Sequence, residues 1–255
     1  MSSLTIPPWM AWLQDRHYKK APIREAIIQI QVQPEQGVEV AQLEALVANP
    51  SDYATRRPIF RNEVVGQFKD GKSTATAKQD RIGFRLIGAE GKHIAAFRPD
   101  GFSFSRLNPY ENWTSLRSEA RRIWEIYKVA IGPAKIVRVS LRYINQLDLP
   151  SNLRDFSDYI RTFPTISSDL PQQLSGFFMQ VQIPQPDLQA LLILNETLLP
   201  PTDPKVLSIV LDTDIVKIED FASDEAAWTT LDALRIRKNL IFEGSITNNT
   251  RDLIS

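Results

Sequence analysis

The chain has 255 residues, 43% hydrophobic and 24% charged, which suits a globular protein with one large core or two smaller ones. Lys plus Arg and Asp plus Glu each number 30, so no electrostatic excess exists to drive general binding to nucleic acid or a membrane surface. Cysteine is absent, which removes disulfides, thiolate metal sites and cysteine nucleophiles.

Residues 1–21 are expected to form an N-terminal arm. Trp9, Trp12 and Leu13 would share one edge of a helical turn, packing on the parent domain or docking a partner. Basic residues follow apolar ones here, the reverse of a secretory signal, and no apolar run approaches the roughly 18 residues of a membrane helix. A cytoplasmic, non-membrane protein is expected.

From Arg24 the chain alternates. Ala26, Ile28, Ile30 and Val32 share one face and Glu25, Gln29 and Gln31 the other, with Ile27 the exception, so a half-buried strand is predicted. Val38, Val40, Leu43, Leu46 and Val47 suggest a short helix. Strands follow at 59–68, 76–87 and 93–105, with Gly71 and Glu90-Gly91 at the turns between them. Asn108-Pro109-Tyr110-Glu111 has the form of a helix start. Leu116, Ala120, Ile123, Trp124, Tyr127 and Ile131 continue at helical spacing until Gly132-Pro133 ends the run.

A second pass begins at once. Val137, Val139, Leu141 and Tyr143 predict a strand, Asp155 to Phe163 a shorter helix, and 164–175 a loop. Strands are predicted from Phe177 to Ile183, at 188–199 and at 205–218. A long helix is capped by Ser223 and ends near Gly244. Trp113-Thr114-Ser115-Leu116 opens the first long helix, and Trp228-Thr229-Thr230-Leu231 opens the second 115 residues later. The expected fold is therefore α+β: a duplicated β-α-β-β-β-α unit with pseudo-twofold symmetry, eight mostly antiparallel strands backed by two long helices. Residues 22–134 form the first repeat and 135–255 the second. Gly132-Pro133 is too short for a linker, so the two make one cooperative domain.

Chemistry-bearing motifs are sparse. His17 and His93 have no partners at metal-ligand or triad spacing, and no phosphate-cradling glycine loop occurs, so no catalytic residues, metal or cofactor are assigned. Arginines stand out. Arg138 and Arg142 share a strand face, roughly 13 Å apart at about 3.3 Å per residue, and Arg117, Arg121 and Arg122 lie on the preceding helix. Converging, they would hold a carboxylate or phosphate. The plainer reading is an internal network in which Asp212 and Asp214 pair with Arg138 and Arg142, and it is preferred. Asp212 and Asp214, with Glu25, also raise a carboxylate-dependent hydrolase. Trp113, Trp124, Trp228, Tyr110 and Tyr143 could line a cavity, although aromatics at helical spacing more often form core.

Pro22-Ile23-Arg24-Glu25-Ala26, Phe102 through Pro109-Tyr110 with Trp113, and Arg138-Val139-Ser140-Leu141-Arg142-Tyr143-Ile144-Asn145 resemble a sporadically distributed family of uncharacterised bacterial and archaeal proteins of about this length. The resemblance spans nearly the whole chain, and Arg-x-x-x-Arg-Tyr-Ile-Asn is its most specific part. It carries no activity, but it implies an accessory role in defence, immunity or as a toxin partner.

The function expected is a non-enzymatic cytoplasmic recognition protein acting through protein contacts or a small anionic ligand where the repeats meet. Arg138, Arg142, Arg121, Arg117, Tyr143 and Asn145 are the candidate ligand-binding residues. A hydrolytic enzyme and a nucleic-acid-associated regulator are the alternatives, and a homo-oligomer remains open.

Overall fold

The computed structural model describes residues 16–47, 50–69, 72–172 and 174–255, with side chains described outside 65–76. Trp9, Trp12 and Leu13 of the expected arm, and Gly71 of the first expected turn, lie outside the described residues.

In chain order the elements are β1 (Ile23–Pro34), α1 (Val40–Leu46), β2 (Thr55–Lys69), β3 (Lys72–Ile87), β4 (His93–Arg98), β5 (Gly101–Leu107) and α2 (Trp113–Ile131). There follow β6 (Ala134–Pro150), β7 (Phe178–Gln185), β8 (Ala190–Leu198), β9 (Val206–Ile218), α3 (Asp224–Ser245) and α4 (Asn248–Ile254). The fold is α+β. All nine strands join one antiparallel sheet in the order β2-β3-β4-β5-β1-β6-β9-β8-β7.

Alternation along β1 decides which face is covered. Ile28 pairs with Phe104 on one side and Leu141 on the other, and Ile30 with Phe102 and Val139, so these six make one continuous apolar surface. α2 lies over the β5, β1 and β4 part of that surface and α3 over β6 and β9. Trp124 packs edge-on against Phe102, and Tyr127 sits 5.8 Å from both Phe97 and Phe102. Ile27 breaks the alternation: it faces the other side of the sheet, opposite Arg142, and is still 92% buried.

Several local expectations change. The span 93–105 is two strands, because the chain turns at Pro99-Asp100 and folds Phe102 back onto Phe97, which raises the strand count from eight to nine. The first long helix starts at Trp113, where the Asn112 side chain accepts the Ser115 N–H at 2.8 Å; Asn108-Pro109 is a cis peptide in the preceding connection. Asp155–Phe163 contains only a 3₁₀ turn at Phe156–Asp158, and α4 was not expected. The second helix runs through Gly244 to Ser245 and stops as Ile246 extends to bridge Ile160.

β2 and β3 extend past the sheet. β3 pairs with β4 only over Phe84–Ile87, and beyond that point the two strands pair with each other alone. Gly83 sits at this departure, beside the bulge at Ile59/Phe60; the Phe97 carbonyl oxygen lies 2.3 Å from where a Cβ would be, so no other residue fits without movement.

One charged side chain interrupts the covered face. Glu196 of β8 lies between Leu194 and Leu198 in the buried row, is 1% exposed, and neither carboxylate oxygen has a partner among the described residues. Burial alone pushes its carboxyl up to about 8. The folded protein therefore holds a proton that the unfolded chain releases above its ordinary value of 4.5. Stability should fall as pH rises from that value through about 8, at up to about 1.4 kcal/mol per pH unit. Urea denaturation at pH 5 and pH 8.5 should show Glu196→Gln gaining stability relative to wild type at the higher pH; an equal difference at both would refute the assignment.

Candidate functional site

The six residues singled out from sequence lie in three places. Arg117 and Arg121 of α2 face α3, which runs antiparallel beside it. Arg117 Nε is 2.9 Å from Asp232, Arg121 reaches Glu225 at 2.6 Å, and both guanidinium groups lie over the Trp228 ring. Trp113 Nε1 donates to the same Asp232 at 2.8 Å, and Lys128 pairs with Asp224 at 2.7 Å. This is a helix-to-helix seam whose cations are already matched.

Arg138 and Arg142 point to the opposite, open face of the sheet. Arg142 makes a two-point pair with Asp212, at 2.8 and 2.6 Å, and Asn195 donates to the same carboxylate at 3.1 Å. Asp214 and Glu25 also act on Arg142 electrostatically, while Asp212 alone among the described residues is in ion-pair contact with it. Burial raises the Asp214 carboxyl, against the pull of Arg138 and Arg142. Arg138 reaches Gln29 at 3.4 Å and borders a depression of about 450 Å³ with Gln31, Ser103 and Arg98.

Tyr143 and Asn145, being odd-numbered on β6, face the helices. Asn145 lines a cavity of about 610 Å³ bounded by residues 16–23, the β5–α2 connection and the second half of α3. Tyr143 is fully buried beneath it, its hydroxyl 2.9 Å from that of Tyr110, and Tyr110 and Trp113 form part of the wall. From α3 come Arg235, Lys238 and Asn239, with Phe242 and Glu243 toward one end. Lys238 Nζ sits 3.9 Å from the centre of the Tyr143 ring.

The charges in this cavity are unevenly satisfied. Of its carboxylates, Glu111 is bound by Arg106 at 3.1 Å, while Glu243 accepts from Arg251 at 2.8 Å and from the Tyr18 hydroxyl at 2.6 Å. Arg235 and Lys238 have no carboxylate within ion-pair distance among the described residues. Burial, then the Arg235 cation, push the Lys238 amine down to about 7, with Glu243 opposing. The Tyr143 ring face also favours the ammonium and works against that shift. Tyr143 and Tyr110 are raised by burial, so both phenols stay protonated at neutral pH and serve as hydrogen-bond donors. The arrangement can hold an anion: two cations, phenol and amide donors, and aromatic walls around a space large enough for a small molecule.

Sequence reasoning named Tyr143, Asn145 and Tyr110 but missed Arg235 and Lys238. A signal existed. Both fall in the stripe of α3 that continues from Leu231 and Leu234, where an apolar residue would be expected. Among the described residues no three His, Asp or Glu side chains cluster to hold a metal, and no helix is long and apolar enough to cross a membrane. Compared with models of known families and with curated proteins, the chain matches none.

The Arg142–Asp212 pair should prove structural. Asp212 is 9% exposed at its side chain and Arg142 36%, so Arg142→Ala strands a largely buried carboxylate. A loss of roughly 2 kcal/mol is expected, below the ~3–5 kcal/mol of a fully buried pair because Arg142 is partly solvated. Urea midpoints should recover most of it in Arg142→Met/Asp212→Leu, which removes both charges.

Proposed function

We propose that this chain is a non-enzymatic recognition protein that binds a small anion in the cavity beneath α3, and that the cavity was opened in one copy of a duplicated unit. Three registers support the duplication. Ile27 and Arg142, paired directly at the centre of the sheet, are separated by the same 115 residues as Trp113 and Trp228. So are Arg117 and Asp232, which meet between the helices. The strand order also reads outward alike from the β1/β6 pair, as β1-β5-β4-β3 and β6-β9-β8-β7, with β2 added at one edge. A twofold axis through Ile27/Arg142 and Arg117/Asp232 would account for all three.

Under that correspondence the two layers between helix and sheet differ in one region. Leu116, Tyr127 and Ile131 match Leu231, Phe242 and Ile246, buried in both. Between them, Ala120, Ile123 and Trp124 are replaced by Arg235, Lys238 and Asn239. On the strands Ile28 and Ile30 are replaced by Tyr143 and Asn145. One copy fills the middle of its core; the other has polar groups around a cavity. Burying such groups costs stability unless something binds them, and the single observation that carries the proposal is that Arg235 and Lys238 lack carboxylates among the described residues while the cavity's two carboxylates, Glu111 and Glu243, are matched.

Segments from both halves enclose the space, so ligand binding would tie the α2 start to α3. A small-molecule sensor of this kind suits the accessory or defence role implied by the family resemblance. A thermal-shift and calorimetric screen with inorganic phosphate and small mono- and dicarboxylates should find a binder that stabilises the protein. Arg235→Ala and Lys238→Ala should each weaken it about tenfold or more, as expected for losing a charge-assisted contact. Arg138→Ala, on the other face, should bind as wild type. Loss of binding in Arg138→Ala alone would overturn the assignment.

A further inference from the structure

We infer that the anion taken by this cavity carries an aldehyde or ketone carbonyl, which the Lys238 amine captures as a reversible imine; the inference rests on the anion-site reading above. A lysine becomes a nucleophile when it is desolvated or set beside another cation, because both disfavour the ammonium. Lys238 meets both conditions. It lines the cavity from α3, where burial and the Arg235 cation one helical turn away on the same face both disfavour its ammonium, against the pull of the Tyr143 ring 3.9 Å from its Nζ. The cavity carboxylate closest in sequence, Glu243, is already held by Arg251 and Tyr18. A structural lysine at a helix–sheet interface ordinarily has an acid partner, and this one has none among the described residues.

The surroundings divide the work as imine formation needs. Arg235 can hold the ligand's carboxylate or phosphate while the carbonyl carbon faces Nζ. The free amine forms the C–N bond, and the carbonyl π pair takes a proton to give a carbinolamine. One N–H proton leaves nitrogen in this step and returns a lone pair to it. The C–O bond then breaks as the hydroxyl takes a proton and leaves as water. That lone pair forms C=N, and the second N–H proton is released in exchange for the one taken. Amine and carbonyl thus give imine and water, with no oxidant or reductant. Tyr110, on the cavity wall and hydrogen-bonded to Tyr143 at 2.9 Å, offers a phenolic O–H for the carbinolamine oxygen. Burial lowers the amine to about 7, so a large share is neutral where an exposed lysine is almost wholly protonated.

The test is reductive trapping of the full chain at neutral pH with glyoxylate and cyanoborohydride, followed by peptide mapping. Lys238 should be alkylated about tenfold faster or more than exposed lysines such as Lys78, whose side chain is 68% accessible. Excess oxalate, an anion with no reactive carbonyl, should slow it. Lys238→Arg, which keeps the charge, should fold and lose the fast label. Labelling of Lys238 no faster than Lys78, with phosphate or oxalate still bound in the cavity, would overturn the imine and leave the anion site standing. Neither preferential labelling nor anion binding would overturn both.

Discussion

The pairing of β1 with β6 holds the molecule together. These strands are consecutive with neither of their outer neighbours, yet their ladder runs from Ile23 to Pro34 and from Ala134 to Asn145 and joins everything before α2 to everything after it. Without it each group of strands would end in an open edge at the middle of an apolar face, with unsatisfied backbone groups beneath the helices. With it, Ile28 and Ile30 lie between Phe102, Phe104, Val139 and Leu141, and two helices can share one platform. The antiparallel contact of α2 with α3 follows, since each helix is tied to the strands on its own side of the pair.

The helix seam is polar where the sheet seam is apolar. Asp224, Glu225 and Asp232 of α3 receive Lys128, Arg121 and Arg117 of α2, with Trp113 and Trp124 donating indole N–H groups to the same acids. Exposed pairs of this sort add little stability singly, but their pattern rewards one register. A one-turn slip would leave Arg117 without Asp232 and lift its guanidinium off Trp228. Register matters because the wall formed by Tyr110 and Trp113 meets Arg235 and Lys238 only in this alignment.

Period-two and period-3.6 patterns made most elements legible: β1, the long helices, and the face on which each β6 residue lies. What failed locally failed where tertiary contact chose between two adequate options. Asn108 and Asn112 can each cap a helix, and the chain uses the later one, which brings Trp113 to Asp232. Pro99-Asp100-Gly101 is a turn signal inside an alternating run, and pairing of Phe97 with Phe102 decides in its favour. The site was half legible. Parity alone separates Arg138 and Arg142 from Tyr143 and Asn145, and grouping them by sequence proximity put residues from two faces into one imagined cluster. Arg117 and Arg121 could not be resolved so simply, because Asp232 and Glu225 lie more than a hundred residues away.

Polar residues inside an amphipathic stripe are more informative than the arginine clusters on the surface. A helix buries its stripe because apolar area is removed from water, and a Lys or Arg there forfeits part of that gain and adds a desolvation cost. Under the proposed correspondence Ala120 and Ile123 of α2, both fully buried, would be the apolar counterparts of Arg235 and Lys238. Keeping Lys238 and Arg235 in α3 instead lowers the stability of the empty protein. A bound anion would supply a Coulombic partner to both cations and bridge the β5–α2 connection to α3, so the proposed ligand and the fold are linked: what binds the cavity also stabilises the fold around it.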